Sequence, residues 1–571
     1  MNTTAITYSR LRVTDPAAWR STALAWRRWA ALAGALCGEF GPLLTRLRDS
    51  WTGSAAEAAA ARLAALCRRM TCLRVFCWRA DQALSEFAAG ITRARALLDQ
   101  ARTAARNAGL VIDDSGMVRP AALGSAAPGS PSTQAGAGGS ASAGPGGRGA
   151  DSAGNGTGNG TGGSASTRTG VGGSASAGTG VGGSASATAD PAAVQAVAAV
   201  LASALEVAAD ADATAAARLA ALADVSDVPA VSSFPACDAD PAEVRRWWSG
   251  FTPAQRDWLL VTDAVSLAGA EGIPVADRDI ANRLLLGDQR RDLESMAKRG
   301  TDPDRIRDLR EGLDRLNARL EDDTGPRAYL VGLSLADEGR AVVALGDPDR
   351  ATNVLTHVPG MTSDLRSLSG ELTRAERVAV RSGELGPGGS TSAVMWLDYD
   401  APDFLHEAAS PRQAREGAVE LRRFQEGLRA THEGEPARQT VLGHSYGSLL
   451  VGSAAAGGRL EADSVVFVGS PGVGVDSATL LGVPADHVWS TTSRTDVIQL
   501  AKEPRDLLPG ARLPDLSPGP ERDLWFGRNP SHPSFGGRVF ASQADAGHLG
   551  YWDEDRPALD AMARITLGGK P

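Results

Sequence analysis

Apolar and polar positions keep a helical period through the first 107 residues of this chain. Asp15-Pro16 supplies a cap and a first-turn proline. The helix they open carries Trp19, Trp26 and Trp29 and ends near Asp49, where Trp51-Thr52-Gly53 interrupts. A second, alanine-rich helix is predicted from about Ser54 to Asn107. Helical spacing resumes at Asp190-Pro191, and Asp240-Pro241-Ala242-Glu243 and Thr252-Pro253-Ala254-Gln255 repeat the capping device. The charged stretch from Asp288 to Asp323 reads as one or two solvated helices. From Arg327 the period shortens. Runs rich in β-formers fall at 328–334, 339–345, 353–358, 392–398, 439–443, 464–469, 487–492 and 538–543. Ala336-Asp337-Glu338-Gly339 marks a hairpin between the first two, and helical segments separate the later ones. That alternation predicts an α/β domain around about eight mostly parallel strands.

Between the two helical regions, at about 121–189, the sequence reduces to Gly, Ser, Ala and Thr, with Gly-Gly-Ser-Ala-Ser at 138, 162, 172 and 182. Such a segment cannot bury enough apolar surface to offset its ordering entropy, so a disordered tether spanning roughly 40–50 Å is expected. The chain of 571 residues then divides into an all-α helical hairpin (1–120), a linker (121–189), a helical prelude (190–325) and a catalytic α/β domain (326–571).

The net charge of −9 leaves no electrostatic footprint for nucleic acid. Five cysteines, an odd count in a large chain, argue against a disulfide framework. Cys67, Cys72 and Cys77 recur without a CxxC or a nearby His, so buried helix thiols are expected rather than a metal site. No run of 18 uninterrupted apolar residues occurs and no Sec-type leader opens the chain, which predicts no transmembrane helix. A cytoplasmic location is expected; export by a route that reads folded helices is the alternative.

The chemistry concentrates after the fifth predicted strand. Gly443-His444-Ser445-Tyr446-Gly447 follows Thr440-Val441-Leu442 and precedes a small-residue helix. The pattern fits a nucleophile elbow, in which glycines two residues either side of the serine avoid a collision in a tight strand-to-helix turn. With 66 glycines, chance matches are common, so the context counts. Eight strands, a leading hairpin and a nucleophile after the fifth together make the α/β-hydrolase plan.

That plan orders the triad as Ser, then acid, then His. The acid follows the second strand after the nucleophile, which selects Asp496 over Asp476 and Asp545. The base follows the last strand, which selects His548, in Gly547-His548-Leu549-Gly550-Tyr551-Trp552, over His532. His548 would take the Ser445 proton while Asp496 fixes its tautomer. The oxyanion donors are expected to be the backbone N–H groups of Tyr446 and of Met361, in the loop after the third strand. His444 is expected to serve packing or substrate contact. The proline-rich segment from Gln499 to Gly537, with Trp525 and Phe526, is a candidate lid.

Gly346-Asp347-Pro348-Asp349, Val358-Pro359-Gly360-Met361, Gly443 to Ser448, Gly469-Ser470-Pro471-Gly472-Val473-Gly474, Pro533-Ser534-Phe535-Gly536 and Gly547-His548 resemble the motifs of an actinobacterial α/β-hydrolase family. That family is a domain of unknown function. The resemblance covers about residues 240–565 and implies a serine-hydrolase fold and triad, with no substrate. The first 110 residues, with Trp51-Thr52-Gly53 at their turn, resemble the WxG-type hairpins of type VII secretion substrates, but no tyrosine lies between Tyr8 and Tyr329 to supply the usual signal after the second helix.

The expected function is hydrolysis of a small-molecule or lipid ester through an acyl-serine, which needs neither metal nor organic cofactor. The alternatives are acyl transfer with the same triad, or a secretion-linked interaction protein whose hairpin docks a partner helix beside a degenerate hydrolase scaffold.

Overall fold

Strands buried on both faces need no alternation, and the runs after residue 327 accordingly carry consecutive apolar residues, as in Val465-Val466-Phe467-Val468. In the computed structural model they are β1 (Ala328–Ser334), β2 (Arg340–Leu345), β3 (Asn353–Val358), β4 (Thr391–Leu397), β5 (Arg438–His444), β6 (Ser464–Val468), β7 (Val488–Thr491) and β8 (Arg538–Val539). They form one sheet in the order β8-β7-β6-β5-β3-β4-β2-β1. The β1–β2 and β2–β4 pairs are antiparallel and the others parallel. The described residues are 6–121, 190–222, 234–236, 238–500 and 522–571. Residues 122–189 of the expected linker, Cys237, and residues 501–521 of the candidate lid lie outside them.

The two faces of the sheet bury alternate residues, as the pleat requires. Val441, Val465 and Phe467 join a core with helices Arg412–Thr431 and Tyr446–Ala456. Leu442, Val466 and Val468 join a second core with helix Pro557–Thr566 and Trp552.

Helices α1 (Pro16–Ser50) and α2 (Ser54–Asn107) form an antiparallel hairpin. Gly53 at its turn has φ 104°, a conformation open to glycine. Trp26 meets Phe76 edge-on across the pair, whereas Trp29 is 59 % exposed. Helix α3 (Pro191–Ala220) lies along α2, with Ala204 and Ala208 buried beside Ile91 and Ala94. By length and hydropathy α3 could cross a membrane; in the structure one of its faces is buried against α2.

After the shorter helices Pro241–Ser249, Pro253–Thr262 and Ala264–Ala268 come α4 (Val275–Lys298) and α5 (Pro303–Glu321). The charge of this stretch suggests solvated helices, yet Ile306, Leu309, Leu313, Leu316 and Leu320 form a buried stripe that joins the sheet's core. Their i, i+3, i+7 spacing outweighs the charge count.

Helix α4 closes the β1 edge of the sheet. Asp279 accepts from the Leu330 N–H at 2.8 Å, Asn282 donates to the Val331 carbonyl at 3.1 Å, and Arg283 donates to the Ala328 carbonyl at 2.9 Å. Edge backbone groups that would otherwise need water or another strand are thus satisfied by side chains.

The hairpin also reaches the sheet. Asp81 on α2 is fully buried between Arg27 on α1, at 2.9 Å, and Arg327 just before β1, at 2.9 Å. Arg327 also pairs with Asp279, at 2.9 Å. The Tyr329 hydroxyl donates to Glu86 at 2.7 Å, and Arg218 on α3 pairs with Asp347 at 3.1 Å. The hairpin is therefore held by buried polar contacts, which a freely tethered module would not make.

Candidate active site

Ser445 follows β5 with φ 54° and ψ −127°, an unfavourable conformation for a residue with a Cβ. Strain of this kind costs on the order of 1–3 kcal/mol and persists only where the surroundings enforce it. The flanking glycines show the enforcement. A Cβ on Gly447 would lie 2.3 Å from the Val358 carbonyl oxygen, and one on Gly443 would lie 2.5 Å from the Ser448 Cα. The Ser445 N–H donates to the Val468 carbonyl at 3.0 Å, tying the turn to the end of β6.

The loop after β3 passes directly beside this serine. A Cβ on Gly360 would sit 2.7 Å from the Ser445 Cβ and 3.2 Å from its Oγ. The loop is pinned on both sides, by the Tyr399 hydroxyl donating to the Pro359 carbonyl at 2.8 Å and by the Thr362 N–H donating to the Pro402 carbonyl at 2.8 Å. Met361 therefore lies one residue past the point of closest approach. Tyr446 opens the helix Tyr446–Ala456, and its N–H, the first of the helix, has no intrahelical acceptor.

Asp496 follows β7 and His548 follows β8. The structure brings them together: His548 Nδ1 and Asp496 Oδ1 are 2.7 Å apart. Burial would raise the Asp496 carboxyl, but hydrogen bonds from His548, Tyr551 and the Ile498 N–H hold it below the usual carboxylate range. An ionised carboxylate can only accept, so the neutral tautomer of His548 that fits this contact carries its proton on Nδ1 and none on Nε2.

Asp496 and His548 both crowd Gly469, the residue after Val468. A Cβ there would lie 2.8 Å from Asp496 Oδ2 and 3.3 Å from His548 Nδ1. Ser445 and the His–Asp pair thus adjoin the same end of β6. The rival residues have other partners: His532 binds Ser534 at 2.7 Å, Asp476 accepts from the Arg528 N–H, and Asp545 pairs with Arg556.

His444 is buried, and burial together with the neighbouring His548 pushes its imidazole down to about 3. It is therefore neutral near pH 7. Its Nε2–H donates to the His548 carbonyl at 3.0 Å, and its ring lies 4.8 Å from the His548 ring. Of the candidate lid, Trp525 donates from Nε1 to the Ala409 carbonyl at 3.1 Å, and the Phe526 ring meets Tyr446 edge-on.

Two participants went unassigned in the sequence reading. Tyr551 donates its hydroxyl to Asp496 Oδ2, and Tyr399 holds the Met361 loop. Tyr551 carried one visible signal, standing three residues after His548 in a chain with five tyrosines.

Residues 335–505 match the family described as Alpha/beta hydrolase. An uncharacterized protein of Mycobacterium tuberculosis (strain ATCC 25618 / H37Rv) is 28 % identical over 364 residues, covering 57 % of this chain and 55 % of the relative. The chain thus spans about half the length of that relative. An uncharacterized protein of Mycobacterium bovis is 34 % identical over 199 residues, covering 33 % of this chain and 72 % of its own length. The sheet order, the strained turn after β5 and the family match agree: the C-terminal region of this chain belongs to the alpha/beta hydrolase family.

Proposed function

We propose that the protein is a serine hydrolase that cleaves carboxylic esters through an acyl-Ser445 intermediate. Ser445 Oγ attacks the ester carbonyl as His548 Nε2 takes its proton, and the ionised Asp496 supports the imidazolium that results. The N–H groups of Tyr446 and Met361 receive the developing oxyanion. Collapse expels the alcohol, which leaves with the proton from His548. Water then repeats the sequence and releases the acid.

The observation that carries this reading is the 2.7 Å His548–Asp496 hydrogen bond beside the positive-φ turn of Ser445. An imidazole–carboxylate pair alone has structural uses; next to a strained, glycine-framed serine it is the arrangement acyl transfer requires. If water is replaced by another alcohol, the same residues perform transfer to that acceptor.

The test is labelling with a fluorophosphonate, followed by p-nitrophenyl esters of graded chain length. Wild type should label at one site and hydrolyse at least one ester, and Ser445→Ala should do neither while keeping its fold. Full labelling of the Ala variant would remove Ser445 as nucleophile.

A further inference from the structure

The strongest unassigned contact around the proposed triad is on the far side of the acid. Asp496 Oδ1 takes two bonds, from His548 Nδ1–H at 2.7 Å and from the Ile498 N–H at 2.8 Å. Oδ2 takes the hydroxyl of Tyr551. Its remaining side faces Gly469, where even a Cβ would stand only 2.8 Å away. Tyr551 is fully buried, and its oxygen also accepts from the Ser493 N–H at 2.8 Å. One phenol thus grips both ends of the turn Ser493–Asp496.

We infer that Tyr551 is a positioning residue that holds Oδ2 of Asp496, so that the carboxylate offers only Oδ1 to His548. The inference rests on the catalytic roles proposed for Asp496 and His548. Its physical content is a division of charge. A hydroxyl donated to Oδ2 draws electron density away from Oδ1 and fixes the plane of the carboxylate. Without that donor Oδ2 is left buried and unsatisfied, the charge concentrates on Oδ1, and the imidazolium is held more strongly.

The titratable groups around this contact, among the described residues, are unchanged by the substitutions below. His444 on β5 and Asp496 after β7 face His548. Behind His444 stand His357 on β3, and Glu371 and Arg374 on the helix Leu368–Leu385.

The decisive measurement is the titration of His548 itself, followed by NMR in histidine-labelled full-length protein and assigned by the signal lost in His548→Ala. Tyr551→Phe should raise its midpoint by about half a unit or more. Replacing Tyr551 with 3-fluorotyrosine, a stronger donor of similar shape, should lower it. Where ester turnover is present, Tyr551→Phe should reduce kcat about three- to tenfold with KM unchanged. A merely structural tyrosine would lower stability or kcat without moving the midpoint. Midpoints unmoved in both variants, or a fall in Tyr551→Phe, would overturn the inference, and the fluorinated protein decides should the Phe variant not fold. The titration needs no turnover. Failure of the hydrolase reading would appear separately, as absent labelling of Ser445 with the His548 response intact.

Discussion

Removing one carboxylate, Asp81, should disconnect the helical hairpin from the sheet. Its side chain is wholly buried and accepts from Arg27 at 2.9 and 3.2 Å, from Arg327 at 2.9 Å and from Ser85 at 3.1 Å. Burial alone would push this carboxyl up; Arg327 and Arg27 outweigh it and hold it below its ordinary value. In Asp81→Ala, Arg27 keeps only the carbonyls of Leu320 and Asp322, and Arg327 must share the buried carboxylate of Asp279 with Arg283. Breaking a buried pair from one side costs about 3–5 kcal/mol. Asp314→Ala, which breaks a pair with Arg290 exposed on both sides, should cost about 0–1 kcal/mol. Urea denaturation followed by tryptophan fluorescence gives the comparison, and hydrogen exchange of Ala328–Ser334 localises it. The double variant Arg27→Met/Asp81→Leu should recover much of the loss, because no buried charge is then left without a partner at that site. The pH dependence follows from the lowered carboxyl. Its contribution is complete above the unfolded aspartate value, about 3.9, and is lost as pH falls through the lower folded value. A cost for Asp81→Ala no larger than that for Asp314→Ala would refute the reasoning.

His548→Ala should lower kcat on the order of 10³-fold, and His532→Ala far less; similar losses in steady-state ester assays would reassign the base. Asp496→Asn should cost up to about 10⁴-fold in kcat with the fold retained by circular dichroism, since the amide favours the wrong imidazole tautomer. Gly447→Val should lose fluorophosphonate labelling or yield no soluble protein, given the 2.3 Å approach to the Val358 carbonyl. Deleting residues 1–189, which a tethered arrangement would tolerate, should lower the thermal midpoint, because it strips Arg327 of Asp81 and α3 of α2.

The sheet was legible because local signals and global position agree there. Val465 to Val468 are apolar on both faces and sit in the sheet's middle, and Gly443 and Gly447 are glycines for a steric reason visible in the motif. Asp496 and His548, the proposed acid and base, could be picked out from chain order, because each follows a strand of the sheet. The hairpin's attachment was not legible. Asp81 is one acid in an alanine-rich helix, and its partner Arg327 lies 246 residues away, so no local period marks either. Helix α5 misled in the opposite sense, its charges masking a five-residue apolar stripe. Tyr551 illustrates a third limit: a hydroxyl's worth depends on which acceptor the fold places against it.

The covering of β1 by Asp279, Asn282 and Arg283 bears on whether another copy could add a strand to this sheet. A sheet with an open margin invites another copy to add a strand, which is the route to polymers and to swapped dimers. Here one margin is closed by α4, and the opposite one, β8, is only two residues long. Neither offers a template of useful length. A fragment begun at residue 326 would contain every proposed catalytic residue, yet it would uncover the whole of β1. Such a fragment should aggregate through that margin, so the helices before the catalytic region double as its guard against its own kind.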